Sequence, residues 1–309
     1  MAKTLLNVVS EFQDPFMVGV VRKFMEASLF MARLTFIPVD GMSFGYGEES
    51  SLGGIYFRPI NEDYPTGAYS VVNPKVEPMA IFGGEARTDM QLANKHGGAA
   101  RANEIARRIR RAGLFYDKEL IKGDSSTDPK AMTGLYRRLT GNQLITNSAN
   151  GAPVAYEKVN ELIDAVYGKN EQKLLIMNKV ARRLLKYDLA ASASGTGIQE
   201  LGGSLSRYDG VEIAILDEDE NEDPILAFNE TCGTSSTCTS ILCVHLGDTT
   251  DREGLQGLVG SQGVERHDAG CKGTYYLDVV EMHAGVGQPV GLVMYEEDLS
   301  KEEAFRKNG

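Results

Sequence analysis

The sequence predicts an α+β protein that carries a long extended arm, and three features predict it. Residues 46–78 form an acidic, turn-rich excursion with too few apolar residues to build a core of its own. A long arginine-studded helical pattern follows at 99–122. Further on, the apolar run 174–177 leads directly into a helical pattern at 178–187, the strand-then-helix step of a layered α+β domain.

The elements follow in order. Residues 1–45 mix apolar residues with scattered charge and read as an N-terminal arm with one short helix at 20–32 and an extended piece at 35–39. In 46–78, strand-like pieces at 55–58 and 68–72 alternate with Gly and Pro punctuation, as in a long hairpin. Residues 79–82 read as a returning strand, Gly83-Gly84 as a turn or bulge, and 85–89 as a second strand. In 99–122, Ala102, Ile105, Ala106, Ile109, Ala112, Tyr116 and Leu120 recur at three- and four-residue spacing and make one apolar stripe. Gly123 then stops the helix. Helices are expected at 154–167 and 178–187, and strands at 174–177, 211–216, 240–246, 274–282 and 290–295. The Gly/Ser-rich stretch 191–207 reads as a surface loop, and the acidic run 217–223 as a solvated one.

Composition excludes several classes. The chain of 309 residues is long enough for one large domain or two modest ones with a real core. A net charge of −11 argues against nucleic-acid binding by whole-domain attraction. No stretch approaches the ~18 consecutive apolar residues of a membrane span, and the first residues lack a signal-peptide cleavage pattern. Four cysteines, Cys232, Cys238, Cys243 and Cys271, form no CxxC pair and read as free buried or loop thiols; nothing further supports a Cys232–Cys238 loop disulfide.

Catalytic motifs are not found. There is no GxxxxGK[ST], and the glycine clusters lack the strand-before, helix-after setting that aims amides at a phosphate. The histidines, His96, His245, His267 and His283, show no ligand pair at helical spacing, and His267, Asp268 and Cys271 read as an ordinary polar loop. No GxSxG occurs and no cysteine has a basic setting. No catalytic residue, metal or cofactor is assigned.

The basic helix has three readings. Its arginines form a solvated face with pairs such as Glu104 to Arg108, or they contact nucleic acid, or they meet the acidic arm of another copy. Residues 99–123 hold seven basic and three acidic groups, and the arm carries Glu48, Glu49, Glu62 and Asp63. On the third reading, Arg101, Arg107, Arg108, Arg110 and Arg111 are the partner surface. Exposed pairs contribute only about 0–1 kcal/mol each, so charge would set register more than affinity.

In order along the chain, several segments resemble the tailed-bacteriophage major capsid proteins of the Hong Kong 97 shell fold. MAIFGGEARTDMQLA resembles that family's "GG-x-x-x-x-D" return from its extended E-loop, and GDSSTDPKAMTGL its "NGD…F-x-GL" continuation. LLIMNKVARRLLKY resembles "LLMN-x-x-x-x-x-L", RYDGVEIAILDEDE resembles "Y-x-G-V-P-I", and TSILCVHLGDTTDREGLQGLVG resembles "TSIYAVRFG…GLQGL". Each motif is loose alone; their collinear order over some 250 residues carries the resemblance.

The resemblance implies an N-terminal arm at 1–45, an E-loop at 46–78, and a P domain at 79–145 with its spine helix at 99–122. It further implies an A domain at 146–270, P-domain return strands at 271–297, and a C-terminal tail at 298–309. It implies a structural, non-enzymatic protein whose E-loop lies over the P domain of a neighbour. Pentamers and hexamers would form an icosahedral shell around double-stranded DNA, in the virion, assembled in the host cytoplasm. The implied partners are further copies of itself, a separate scaffolding protein, a portal and a decoration protein; no membrane is implied. DNA would be touched weakly and without sequence specificity, through Arg22, Lys23 and Arg33.

Two departures shape the expectation. The chain starts almost directly with the arm, so a separate scaffold or prior cleavage is expected. The arm holds only Lys75, far from its tip, so no covalent Lys–Asn cross-linking is expected. An encapsulin-type compartment shell, which would carry cargo enzymes, is the nearest alternative. A soluble enzyme with a subunit-exchanging arm is a more distant one, and no polar constellation in the sequence supports it.

Overall fold

The computed structural model describes residues 15–41, 43–51, 55–63, 71–80, 82–87, 98–192, 205–216, 218–247, 254–260, 264–269, 274–279, 282–287 and 291–296. The chain opens with helix α1 (Pro15–Ala27) and strand β1 (Phe36–Val39). The hairpin β2 (Ser43–Ser51) and β3 (Val71–Pro78) follows, and then β4 (Phe82–Arg87). The spine helix α2 (Gly98–Lys122) comes next, followed by the short α3 (Leu135–Arg138).

The spine helix forms where its apolar stripe predicts. Ile109, Tyr116 and Leu120 are buried, and the arginines between them face outward. It ends at Gly123, whose N–H donates to the Glu119 carbonyl at 2.8 Å. A Cβ there would sit 2.4 Å from the carbonyls of both Glu119 and Met132, so only glycine fits. Helix α1 lies earlier than the sequence indicates, at 15–27 rather than 20–32. It begins at Pro15, a favoured first helical position, and stops at Ala27: the Ser28 N–H closes the last turn on the Phe24 carbonyl, and the Leu29 and Phe30 N–H groups go instead to Asp117 of the spine helix.

The second half builds a seven-stranded sheet. Its strands are β5 (Leu144–Thr146), β6 (Lys173–Met177), β7 (Arg207–Tyr208), β8 (Val211–Ile215), β9 (Glu230–Cys232), β10 (Ser235–His245) and β15 (Gly291–Glu296). They run in the order β5-β15-β10-β6-β8-β7, with β9 beside β10. Every residue of β6 is buried, as expected of a central strand whose neighbour β8 is parallel. Leu174 and Ile176 enter the core around the spine helix, while Leu175 and Met177 enter a second core. Helices α4 (Tyr156–Ala165) and α5 (Lys179–Ser192) supply that second core with Val159, Leu162, Ala181 and Leu185. The sheet therefore divides two cores, one per face.

The remaining strands make smaller sheets: β11 (Gly254–Gly260) lies between β1 and β14 (Met282–Gly287), and β13 (Thr274–Val279) lies between β12 (Val264–Ala269) and β4. The single strand expected at 274–282 is thus two strands in two sheets, and β15 belongs to the seven-stranded sheet. The three described strands β13, β14 and β15 each belong to a different sheet. Residues 55–58, expected as a strand, form no regular element; Ile55 and Phe57 are fully exposed or nearly so, while Tyr56 is 45% exposed. Most of the Gly/Ser-rich stretch 191–207 lies outside the described residues.

Candidate assembly surface: the arm and the spine helix

The arm is a two-stranded ribbon. β2 and β3 pair antiparallel from Ser43↔Pro78 at the base to Ser51↔Val71 toward the tip. A lone two-stranded ribbon has no face to bury and is marginal in water. The base is held to the body. Arg138 of α3 donates to both carboxylate oxygens of Glu77 on β3, at 2.6 and 3.0 Å, and its Nε donates to the Thr133 carbonyl. Tyr46 Oη donates to the same Glu77 at 3.3 Å; burial, then the Glu77 charge, pushes the Tyr46 hydroxyl above its ordinary range.

Beyond the base the arm offers apolar surface to solvent. Ile55 is 98% exposed, Phe57 105% and Ile60 90%. Glu62 and Asp63 are exposed in the same segment, beside Arg58, which donates to the Glu62 carbonyl at 2.9 Å. Three bare apolar side chains next to two acids form a small amphipathic tip.

The spine helix shows two exposed stripes. Arg107, Arg110 and Arg111 line a cleft of about 670 Å³ that is closed on its other side by the acidic turn 218–222. Arg108 and Phe115 lie further round the helix, and Phe115 also lines a cavity of about 470 Å³ with Ala80 and Met132. Glu119 lines that cavity too, and its burial raises the carboxyl above its usual range.

The sequence-level site residues meet only in part. Arg107 and Arg108 pair with Glu104 at 3.7 and 3.2 Å, as the i+3 and i+4 spacing implies. Among the described residues no ion pair joins Glu62 or Asp63 to Arg107, Arg108, Arg110 or Arg111, so the acid-to-arginine match is not made within one chain. Glu48 and Glu49 sit on β2 opposite Asn73 and Val72, and Arg101 sits on the first turn of the spine helix; their side chains lie outside the described residues. Of the three cations expected near DNA, Arg22 and Lys23 are exposed on α1, whereas Arg33 binds Glu212 at 2.6 Å.

The acidic run is not a purely solvated loop. Asp219 is 5% exposed, and Lys118 of the spine helix reaches it at 2.8 Å and Glu220 at 3.5 Å. Asp219 also accepts from the N–H groups of Asn221 and Asp223. Burial alone would raise the Asp219 carboxyl, but Lys118 and these N–H groups hold it below its usual value.

Cys232, Cys238 and Cys243 are buried, and burial pushes the Cys243 thiol up to about 12, which suits a packing role. Cys271 lies outside the described residues. Among those described, no group of three metal-ligating side chains gathers, and no helix is long and apolar enough to cross a membrane. Sequence reasoning missed Glu77, Arg138, Ser28 and the weight of Ile55, Phe57 and Ile60. Three bulky apolar residues set among Gly, Pro and charged residues were the available signal for the last three.

No protein-family profile and no curated protein sequence matches the chain. Solved structures do. The holo-SrpI encapsulin complex from Synechococcus elongatus PCC 7942 matches with a TM-score of 0.60 at 16% identity, over 85% of each chain. The capsid of a native GTA particle matches at 0.59 and 15% identity, over 88% of this chain and 90% of that one. The structure of Mycobacterium phage Bobi matches at 0.55 and 14%, over 88% and 91%. The chain has the Hong Kong 97-like α+β fold, a fold from which shells are built.

Proposed function

We propose that the chain is the major capsid protein of a tailed phage, assembling as pentamers and hexamers into an icosahedral shell around double-stranded DNA. One observation carries this reading: the arm projects three apolar side chains, Ile55, Phe57 and Ile60, that are exposed by 90% or more and that no other described residue covers. The base is fastened at Glu77, and strand β3 alone spans roughly 25 Å at ~3.3 Å per residue. The tip therefore reaches outward to a neighbour.

Glu48, Glu49, Glu62 and Asp63 then meet Arg101, Arg107, Arg108, Arg110 and Arg111 of that neighbour, with Ile55, Phe57 and Ile60 supplying the burial. A contact from one patch to a different patch is head-to-tail, and such contacts form rings when the rotation between copies closes. Packaged DNA, a scaffold and a portal are the partners this role calls for, a decoration protein is an optional addition, and the virion is its location. The shell does no chemistry and needs no cofactor.

The similarity to an encapsulin supports a second reading, a compartment shell with protein cargo. The contents decide between them. Particles purified from the native source are treated with nuclease, opened, and assayed for nucleic acid and for co-purifying protein. Protected double-stranded DNA and a portal vertex support the capsid reading; a stoichiometric cargo enzyme and full symmetry support the compartment.

A further inference from the structure

Helix α3 is a single turn of four residues, too short to hold itself in place. At about 100° per residue, Leu135 and Leu139 fall on one side of it, and both are buried in the core around the spine helix. Tyr136 leaves on one flank of that stripe and Arg138 on the other, while Arg137 is exposed on the far side.

Each flank is tied to a different part of the molecule. Tyr136 Oη donates to Glu230 of β9 at 2.7 Å, and Ser240 of β10 donates to the other oxygen of the same carboxylate. Glu230 pairs with Cys238 of β10, so this tie reaches the margin of the seven-stranded sheet. On the opposite flank Arg138 grips Glu77, at the root of the arm. The start of the turn is fixed separately. The Gly134 N–H donates to the Gly123 carbonyl at 2.8 Å, and a Cβ at Gly134 would lie 2.6 Å from the Gly123 nitrogen, so the turn abuts the end of the spine helix. Arg137 reaches Asp124 at 2.5 Å beside that junction.

We propose that α3 is a coupling pin: the fastening of the arm at Glu77 and the seating of β9 at Glu230 are one cooperative unit, joined through this turn. The two ties leave on opposite flanks, so what one passes to the other travels through the backbone of α3 and its seat of Leu135 and Leu139. A pull on the arm turns α3 on that seat and draws Tyr136 against Glu230; loosening β9 frees the turn and slackens the arm in return. The coupling stands on contacts within one chain and is independent of the shell reading.

Hydrogen exchange of the purified full chain, read by mass spectrometry, tests this on peptides covering 71–80 at the arm's root and 226–234 at β9. Parent and variants are compared in the same assembly state. Tyr136→Phe removes one hydroxyl from the flank opposite the arm, and should quicken exchange at 71–80 by about threefold to fivefold, the scale of one lost hydrogen bond. Glu77→Gln should in return quicken 226–234 by at least about twofold. In the Glu77→Gln background, Tyr136→Phe should add less than about 1.5-fold at 71–80, since the arm no longer hangs on the turn. Tyr208→Phe loses a hydroxyl of the same kind, bonded to Asn160 at 2.7 Å at the far edge of the sheet, and should leave 71–80 unchanged. A Tyr136→Phe change below about twofold at 71–80 overturns the proposal, and this variant alone decides the matter if Glu77→Gln does not fold. A Tyr136→Phe effect undiminished by Glu77→Gln overturns it too, as does an equal effect from Tyr208→Phe.

Discussion

Arg138 clasps Glu77 with two parallel hydrogen bonds across 61 residues of sequence, and this pair fixes where the arm leaves the body. Both side chains are mostly buried, at 12% and 15% exposure. Pairs in this geometry combine charge with direction, so the clasp sets the arm's exit angle as well as holding its base.

Removing one partner leaves the other charge buried. Arg138→Ala is expected to lower the unfolding free energy by about 2–3 kcal/mol in urea titrations. The double change Arg138→Met with Glu77→Leu should recover most of that loss, because the buried charge departs together with its partner.

Gly113 lies inside the spine helix, where glycine costs about 1 kcal/mol against alanine. A Cβ there would sit 2.8 Å from Ala27 Cβ and 3.3 Å from the Ser28 nitrogen, so the bare backbone is what lets α1 approach. Gly113→Val should destabilise by about 2 kcal/mol through overpacking and speed tryptic cleavage at Arg22 and Lys23. Gly113→Ala should destabilise less than Gly113→Val, since its helix propensity offsets part of the crowding against Ala27.

The exposed arginines make a separable prediction. Arg110→Glu with Arg111→Glu should leave subunit stability within about 0.5 kcal/mol, because neither side chain is buried. Light-scattering assays should nonetheless show slower assembly. Raising salt should slow the parent's assembly and leave the variant's nearly unchanged, as screening of exposed charges requires.

Lys75 sits near the base half of the arm, opposite Tyr46. Denaturing electrophoresis of intact particles should therefore give a band of monomer size. Ladders with no monomer band would show covalent cross-links between subunits and overturn this expectation.

Much of the architecture was legible because local pattern and tertiary role agree. The spine helix and the β6-to-α5 step carry strong periodicity, and Gly123 marks a stop that its crowded surroundings enforce. β11 was not assigned from the sequence, because its three glycines interrupt the apolar pattern of a strand. Gly257 is small for a long-range reason: it pairs with Phe36, and a Cβ there would lie 2.2 Å from the Phe36 ring. The acidic turn misled for the same reason, since the burial of Asp219 depends on Lys118 a hundred positions earlier. At the candidate surface, the Arg107 and Arg108 pairs with Glu104 follow from helix spacing, whereas Glu77–Arg138 and Ser28–Asp117 join segments that no local pattern links.

Electron microscopy of the chain purified after expression alone, beside the variant Ile55→Ser/Phe57→Ser/Ile60→Ser, tests the central claim most directly. The three residues are solvent-exposed in the subunit, so the variant should fold and unfold as the parent does. The account predicts closed shells or capsomer-sized rings for the parent, and dispersed subunits for the variant. A parent that stays monomeric with a crowding agent and a candidate scaffold, or a variant that assembles as the parent does, would contradict it.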